Sequence, residues 1–247
     1  MGQRKRQTKR GLFVTGTDTD VGKTVVAAAL AGVLKRRGYD VGVMKPVQSG
    51  AVARDGELIS EDARFLMLAS GVDDDSSLVN PYRLKAPVSP NVAASLEGVE
   101  IDPQTLLRAY EELAHKHEVM IVEGAGGLLV PICDDFTIAD LALHIGLPLL
   151  VVARPNLGTI NHSALTVLYA RTLGLKVAGL VINGYRSESA GIPEETSPPI
   201  IERMANVPIV GIMPFLPSVD VSLANLNGLL DAAEQVLDLS KLKWEVT

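Results

Sequence analysis

The plainest chemistry in this 247-residue chain lies in nine residues after a short apolar run, Gly16-Thr17-Asp18-Thr19-Asp20-Val21-Gly22-Lys23-Thr24. A Gly-Lys-Thr ending that opens a helix suits polyphosphate. Backbone N–H groups of the loop and the helix start point at phosphate oxygens, the lysine neutralises the outer phosphates, and the threonine hydroxyl is a ligand for Mg2+. The common form, G-x-x-x-x-G-K-[ST], puts its first glycine at position 17. Here Thr17 stands there and the glycine lies one residue earlier, at Gly16. A strand leading in and a helix leading out separate such a loop from an ordinary strand–helix turn with a surface lysine.

Two carboxylates and a second lysine extend the constellation. The apolar run Val119–Val122 ends in Glu123-Gly124-Ala125-Gly126-Gly127. An acid at the end of a buried strand is how P-loop enzymes place a second metal contact, and the glycines leave room for a ligand to approach the backbone. Another strand ends at Lys45-Pro46-Val47-Gln48-Ser49-Gly50. Lys45 has two equal readings by position, a solvated lysine or a contact to substrate phosphate or carboxylate. Asp62 is likewise open between a metal ligand and a first-turn acid favoured by the helix dipole. Cys133, Asp134 and Asp135 read as loop and capping residues. The four histidines, at 115, 117, 144 and 162, lack metal-ligand spacing and read as structural or surface residues.

The elements that must hold these residues alternate. Strands are expected at 11–15, 41–45, 119–122, 148–153, 177–183 and 209–213, and helices at 24–37, 61–69, 103–116, 137–145, 161–173, 196–206 and 225–237. Ser60 and Asp102 read as N-caps, Pro103 as a first-turn proline, and Gly38 and Gly71 as helix ends. Residues 72–100, rich in Asp, Ser, Pro and Gly, read as a long functional surface excursion. Continuous apolar strands separated by helices predict an α/β fold: one P-loop domain over 11–247, with a mostly parallel, twisted sheet covered by helices on both faces. Each motif falls at the carboxyl end of a strand, where such sheets bind ligands.

Composition bounds the rest. A hydrophobic fraction of 47% with 21% charged residues supports a sizeable core, and 4% aromatics makes that core aliphatic. A net charge of −6 disfavours nucleic acid as a partner. A single cysteine excludes an internal disulfide and fits a reducing cytoplasm. No apolar run reaches membrane-span length. Residues 1–10 are basic, lack the apolar segment of a secretory signal, and read as a disordered tail.

Taken together, GTDTDVGKT, MKPVQSG, VNPYRLKAPVSP, VEGAGG, GTINH and VINGY resemble dethiobiotin synthetase in order and spacing from about residue 11 to 217. The resemblance implies an ATP- and Mg2+-dependent enzyme that joins CO2 to 7,8-diaminopelargonate through a carbamate and a carbamic-phosphoric anhydride, and closes a ureido ring. It implies that Asp20, Val21, Gly22, Lys23, Thr24 and Val25 hold the phosphates, with Glu123, Gly124, Ala125 and Gly126 beside them and Thr19 near the transferring group. Thr24, Asp62 and Glu123 would hold the metal. Lys45 would stabilise the carbamate and the migrating phosphoryl group, and Ser49 and Gly126 would meet the substrate. Asn183 and Gly184, with Pro214, Phe215 and Leu216, would surround the adenine. The helix start at Gly158-Thr159-Ile160-Asn161 would meet the substrate carboxylate across a homodimer, with Asn161 as the contact. Ser218 departs from relatives that carry an acid after the adenine loop, and residues 186–199 have no assignment.

Three rivals share the sheet. A corrinoid-type amidotransferase ATPase needs a glutaminase domain with a nucleophilic cysteine, and Cys133 lacks that setting. A regulatory nucleotide-binding module often loses the carboxylates or second lysine that this chain keeps. ATPases that partition plasmids or place the division septum carry a lysine four residues before the second glycine, where this chain has Asp18.

Overall fold

The computed structural model describes residues 10–242 and 244. Strand β1 (Gly11–Gly16) is buried at every residue and feeds the phosphate-type loop. Helix α1 (Lys23–Arg36) follows and is buried from Val26 to Leu34, which explains its run of Val, Ala and Leu around Gly32: it is packed against the sheet and against other helices. The chain then forms β2 (Val41–Met44), the short β3 (Val47–Ser49), the hairpin β4 (Val52–Arg54) and β5 (Glu57–Ile59), and α2 (Glu61–Ser70). The next stretch holds α3 (Ser76–Val79), β6 (Tyr82–Leu84), α4 (Pro90–Glu97) and α5 (Pro103–Lys116). Then come β7 (Val119–Glu123), the hairpin β8 (Pro131–Cys133) and β9 (Phe136–Thr137), α6 (Ile138–Ile145) and β10 (Leu149–Ala153). The last elements are α7 (Thr159–Thr172), β11 (Val177–Tyr185), α8 (Ile192–Ala205), β12 (Ile209–Pro214) and α9 (Leu229–Val236).

Six strands make one sheet in the order β12-β11-β10-β1-β7-β2, parallel throughout. All six are strands anticipated from apolar runs. From β1 the chain passes out to β2 at the edge, returns to lay β7 beside β1, and then crosses to β10 on the other side. The order therefore reverses at β1, and the crevice beyond its carboxyl end is the place where doubly wound sheets take ligands. No helix among the described residues is long and apolar enough to cross a membrane.

Several local expectations change. The stretch 72–100 is not an unstructured excursion: it carries α3, β6 and α4, and β6 pairs with β3 in a small parallel sheet beside the main one. Its prolines misled because Pro90 stands in the first turn of α4, where a missing N–H costs nothing. Helix α8 starts at Ile192 rather than 196 and contains Pro198 and Pro199 inside it. Glu194 anchors its start by accepting from the Gly191 N–H at 3.0 Å. Helix α9 starts at Leu229, because Asn225 is held in a bridge to Asp220 instead. Helix α7 starts two residues before the expected 161. Thr137 with Asp140, rather than Asp134 or Asp135, caps α6. Most of the basic N-terminal stretch lies outside the described residues, but Arg10 belongs to the fold: its carbonyl accepts from Met120 N–H at 3.0 Å.

The caps at Ser60 and Asp102 stand as read. Asp102 accepts from the Gln104 and Thr105 N–H groups at 2.9 and 3.1 Å. The Thr105 hydroxyl and the Gln104 N–H hold its carboxyl below the ordinary carboxylate range. A lowered folded-state pKa contributes stability that is complete above the unfolded value, about 4, and is lost as pH falls through the folded one. Asp102→Ala should therefore melt below the wild type at pH 7, and the gap should close as the pH is taken down through about 4. Thermal melts at both ends check this; a gap that persists unchanged in acid would remove the charged cap from the account.

Candidate active site

Two strand ends and two helix starts converge beyond the sheet. Strands β2 and β7 are parallel neighbours with Met44 opposite Val122, so the next residues out, Lys45 and Glu123, emerge side by side. The Lys45 ammonium contacts Glu123 Oε1 at 2.7 Å and Asp62 Oδ2 at 2.7 Å. Asp62 reaches it from the first turn of α2, whose start is fixed by Ser60 accepting from the Ala63 N–H. The Thr24 hydroxyl, one residue into α1, donates to the same Glu123 Oε1 at 2.8 Å. Lys45 and Glu123 are almost wholly buried, at 4% and 0% exposure, so Lys45 is not the solvated strand-end lysine that position alone allowed.

The electrostatics follow from this packing. Burial alone would discharge Lys45, but Asp62 and Glu123 together outweigh it, and its pKa is raised. Burial pushes the Glu123 carboxyl up, against the opposing pull of Lys45. Burial, followed by the Lys45 charge, lowers the pKa of Lys23. Its ammonium donates to the Asp18 carbonyl of its own loop at 3.0 Å. The loop is tight: Gly22 has φ +86, and a Cβ there would lie 2.0 Å from Asn183 Nδ2, which itself donates to the Val21 carbonyl at 3.1 Å.

A cleft of about 740 Å3 opens over this cluster. It brings together Thr19, Asp20, Gly22, Lys23, Thr24, Val25, Lys45, Ser49, Asp62, Glu123, Ala125 and Gly126, all singled out from sequence. A second cleft of about 440 Å3 shares Asp20 and Gly22 with the first and holds Val21, Asn183, Gly184 and Phe215. Gly124, Pro214 and Leu216 line neither. Gly124 is bonded into the sheet through its N–H to Val14, Pro214 ends β12, and Leu216 packs on the core. Asn161 stands exposed in the first turn of α7, outside both clefts. Ser218 gives its hydroxyl to the Asn227 carbonyl.

The oxygens fit a hard divalent cation. Asp62, Glu123 and the Thr24 hydroxyl offer three oxygen donors to one cleft, and Glu123 Oε2 is buried without a partner. Magnesium is held by one or two carboxylates plus substrate phosphates rather than by an all-protein cage.

Sequence reasoning missed three positioning residues. Arg154, just past β10, pairs with Asp18 at 2.7 Å and pins the phosphate loop; a charge at the end of the run PLLVVA was the available signal. Asn80, 1% exposed, donates to the Lys45 carbonyl at 2.5 Å and so sets where β2 releases Lys45. Arg186 lies 3.3 Å over the Phe215 ring in the second cleft. Of the histidines, His117 bridges Asp40 and Asp74, while His115 and His144 bond carbonyls on their own helices, all structural roles.

Residues 10–222 match the protein family described as an AAA domain. The ATP-dependent dethiobiotin synthetase of Bacillus licheniformis is 44% identical over 207 residues, covering 84% of this chain and 86% of that one. The Methanococcus vannielii protein of the same name is 43% identical over 216 residues, covering 87% and 99%. Among solved structures, the MinD cell division protein of Aquifex aeolicus has a TM-score of 0.56 at 14% identity, covering 92% and 96%. A ParA family ATPase from Chlorobium tepidum has 0.53 at 15%, covering 94% and 92%. At such identities the likeness to the two ATPases is one of fold.

The charge cluster has its own test. Lys45→Met strips Glu123 and Asp62 of their cation, and breaking a buried pair from one side costs about 3 to 5 kcal/mol. Urea denaturation of the ligand-free protein should register a loss of that order. A loss within about 0.5 kcal/mol, the range of an ordinary surface change, would mean that Lys45 does not hold the carboxylates in place.

Proposed function

The chain belongs to the ATP-dependent dethiobiotin synthetases, and from that premise we propose how its own residues carry the reaction. As in the family, it is an ATP- and Mg2+-dependent ligase of biotin biosynthesis. Its substrates are 7,8-diaminopelargonate and CO2, with dethiobiotin, ADP and phosphate as products. The observation that carries the residue assignment is the single line of contacts Thr24–Glu123–Lys45–Asp62, buried at Glu123 and Lys45, which joins the phosphate loop to the open side of the cleft.

The phosphate loop from Asp20 to Val25 receives the triphosphate, with N–H groups and the Lys23 ammonium on the outer phosphates. Lys23 then exchanges the Asp18 carbonyl for phosphate oxygen. Thr24, Asp62 and Glu123 would hold Mg2+, which would supply positive charge against that developing on the phosphoryl oxygens. The adenine sits in the second cleft against Asn183, Gly184 and Phe215. Ser49, whose buried hydroxyl lacks a partner, and Gly126 face the diamine.

One amine of the diamine adds to CO2 and gives up a proton to form a carbamate. A carbamate oxygen attacks the γ-phosphorus in line and ADP leaves, so a mixed anhydride forms. The second amine attacks the carbamate carbon, and phosphate departs as the ureido ring closes. Lys45 lies where carbamate and γ-phosphate meet. Its ammonium exchanges carboxylate for transferring oxygen and stabilises the charge that gathers there, and Thr19 stands beside the same group.

The substrate's distal carboxylate meets the start of α7 from a second copy, near Asn161. Three features support a homodimer. Gly158 leaves that helix start without a side-chain cap, the buried Thr159 and Ser163 hydroxyls lack partners, and Leu157, Leu165 and Leu168 are exposed beside it. We assign this activity to one domain over residues 11–247 in the cytoplasm, where Cys133 stays a free thiol.

Phosphate release that requires both the diamine and bicarbonate tests the reaction, since a switch ATPase hydrolyses ATP without either. Lys45→Gln should lower that release about a hundredfold, the usual worth of one preorganised charge contact. Nucleotide affinity should hardly change, because the contact strengthens in the transition state. Lys45→Arg should also be poor, since a planar fork replaces a compact ammonium badly. Intact turnover with weakened ATP binding would make Lys45 a nucleotide ligand and overturn its role.

A further inference from the structure

Helix α2 has a second cavity behind it, of about 610 Å3, on the side away from the phosphate loop. The helix is the partition: Asp62 lines the reaction cleft, whereas Arg64, Met67 and Leu68 line the cavity behind. Its apolar wall continues through Leu58, Ile59 and Leu223. Two arginines, Arg64 and Arg83, stand in that wall, and neither makes a hydrogen bond or ion pair with any described residue. Arg64 is exposed, and Arg83 is half-buried and acts on Asp75 only through space. The one acid lining the cavity, Glu57, is exposed. Asn80 also lines it, and its buried Oδ1 has no partner.

Two unpaired guanidinium groups over an aliphatic wall are unusual in a chain of net charge −6, where carboxylates outnumber cations. The volume is that of a small-molecule site. A guanidinium fork matches a carboxylate in two parallel hydrogen bonds, and the aliphatic wall accepts a chain. We propose that this cavity is a binding site for a small aliphatic carboxylate, its head on the two arginines and its chain along Leu58, Met67 and Leu68. The site is separate from the reaction cleft and does not depend on the chemistry assigned there. Its wall is nevertheless tied to that cleft, because Asn80 holds the Lys45 carbonyl and the partition helix carries Asp62.

Octanoate is the probe, titrated calorimetrically into the full chain, with octylammonium as the charge-reversed control. Because 7,8-diaminopelargonate is itself an aliphatic carboxylate, the titration is repeated with Mg-ATP and the diamine saturating. Octanoate should bind one site per chain in both settings, and octylammonium should not. Arg64→Gln and Arg83→Gln should each weaken binding about tenfold, the loss of one charge-assisted contact. Both variants should keep the wild-type melting temperature and basal phosphate release. Loss of the octanoate signal under saturating substrates would place the binding in the reaction cleft and overturn the proposal. No binding by the wild type, or equal binding by the variants, would overturn it as well.

Discussion

An ammonium buried between two carboxylates is the constraint on which the arrangement of this molecule turns. Removing such charges from water costs several kcal/mol per ion even after relaxation, and well-packed apolar residues in their place are commonly as stable or more so. Lys45, Glu123 and Asp62 are therefore a poor device for stability alone. They make sense as a device for chemistry. A cation already desolvated and already aimed needs no reorganisation when negative charge develops beside it.

The fold supplies that aim from few parts. Two parallel strands in register deliver Lys45 and Glu123 to the same level, and a capped helix start delivers Asp62. The first turn of α1 ties the cluster to the phosphate loop through Thr24. Burial, and then the Lys45 charge, lower the Lys23 pKa, while the pocket answers the Lys45 cation with two carboxylates. A polyphosphate entering this space meets both cations. The reversal of strand order at β1 is what opens the crevice in which all of this fits.

Much of this was legible in the residues. Six apolar runs gave six strands because a strand covered on both faces must be apolar throughout. The Gly-Lys-Thr ending and the acid after VMIV singled out residues that the fold brings into one cleft. Lys45 and Asp62 were ambiguous for a physical reason: their role depends on a neighbour 17 to 78 positions away, which the register of β2 with β7 (for Glu123) and the capped start of α2 (for Asp62) bring in. Asn80 and Arg154 act through backbone and loop contacts that leave no periodic trace. Proline misled in 72–100, where Pro90 stands in the first turn of α4 rather than in a loop, whereas Pro198 and Pro199 fall inside the helix expected at 196–206, which only begins earlier.

The central claim is that the cluster couples phosphoryl transfer to capture of one CO2 unit. The direct measurement is incorporation of carbon-labelled bicarbonate into the organic product, followed by mass spectrometry alongside phosphate release under Mg-ATP and 7,8-diaminopelargonate. One labelled carbon, retained in a ureido ring, for each phosphate released is the expected result. Phosphate released without label in the product would contradict the account.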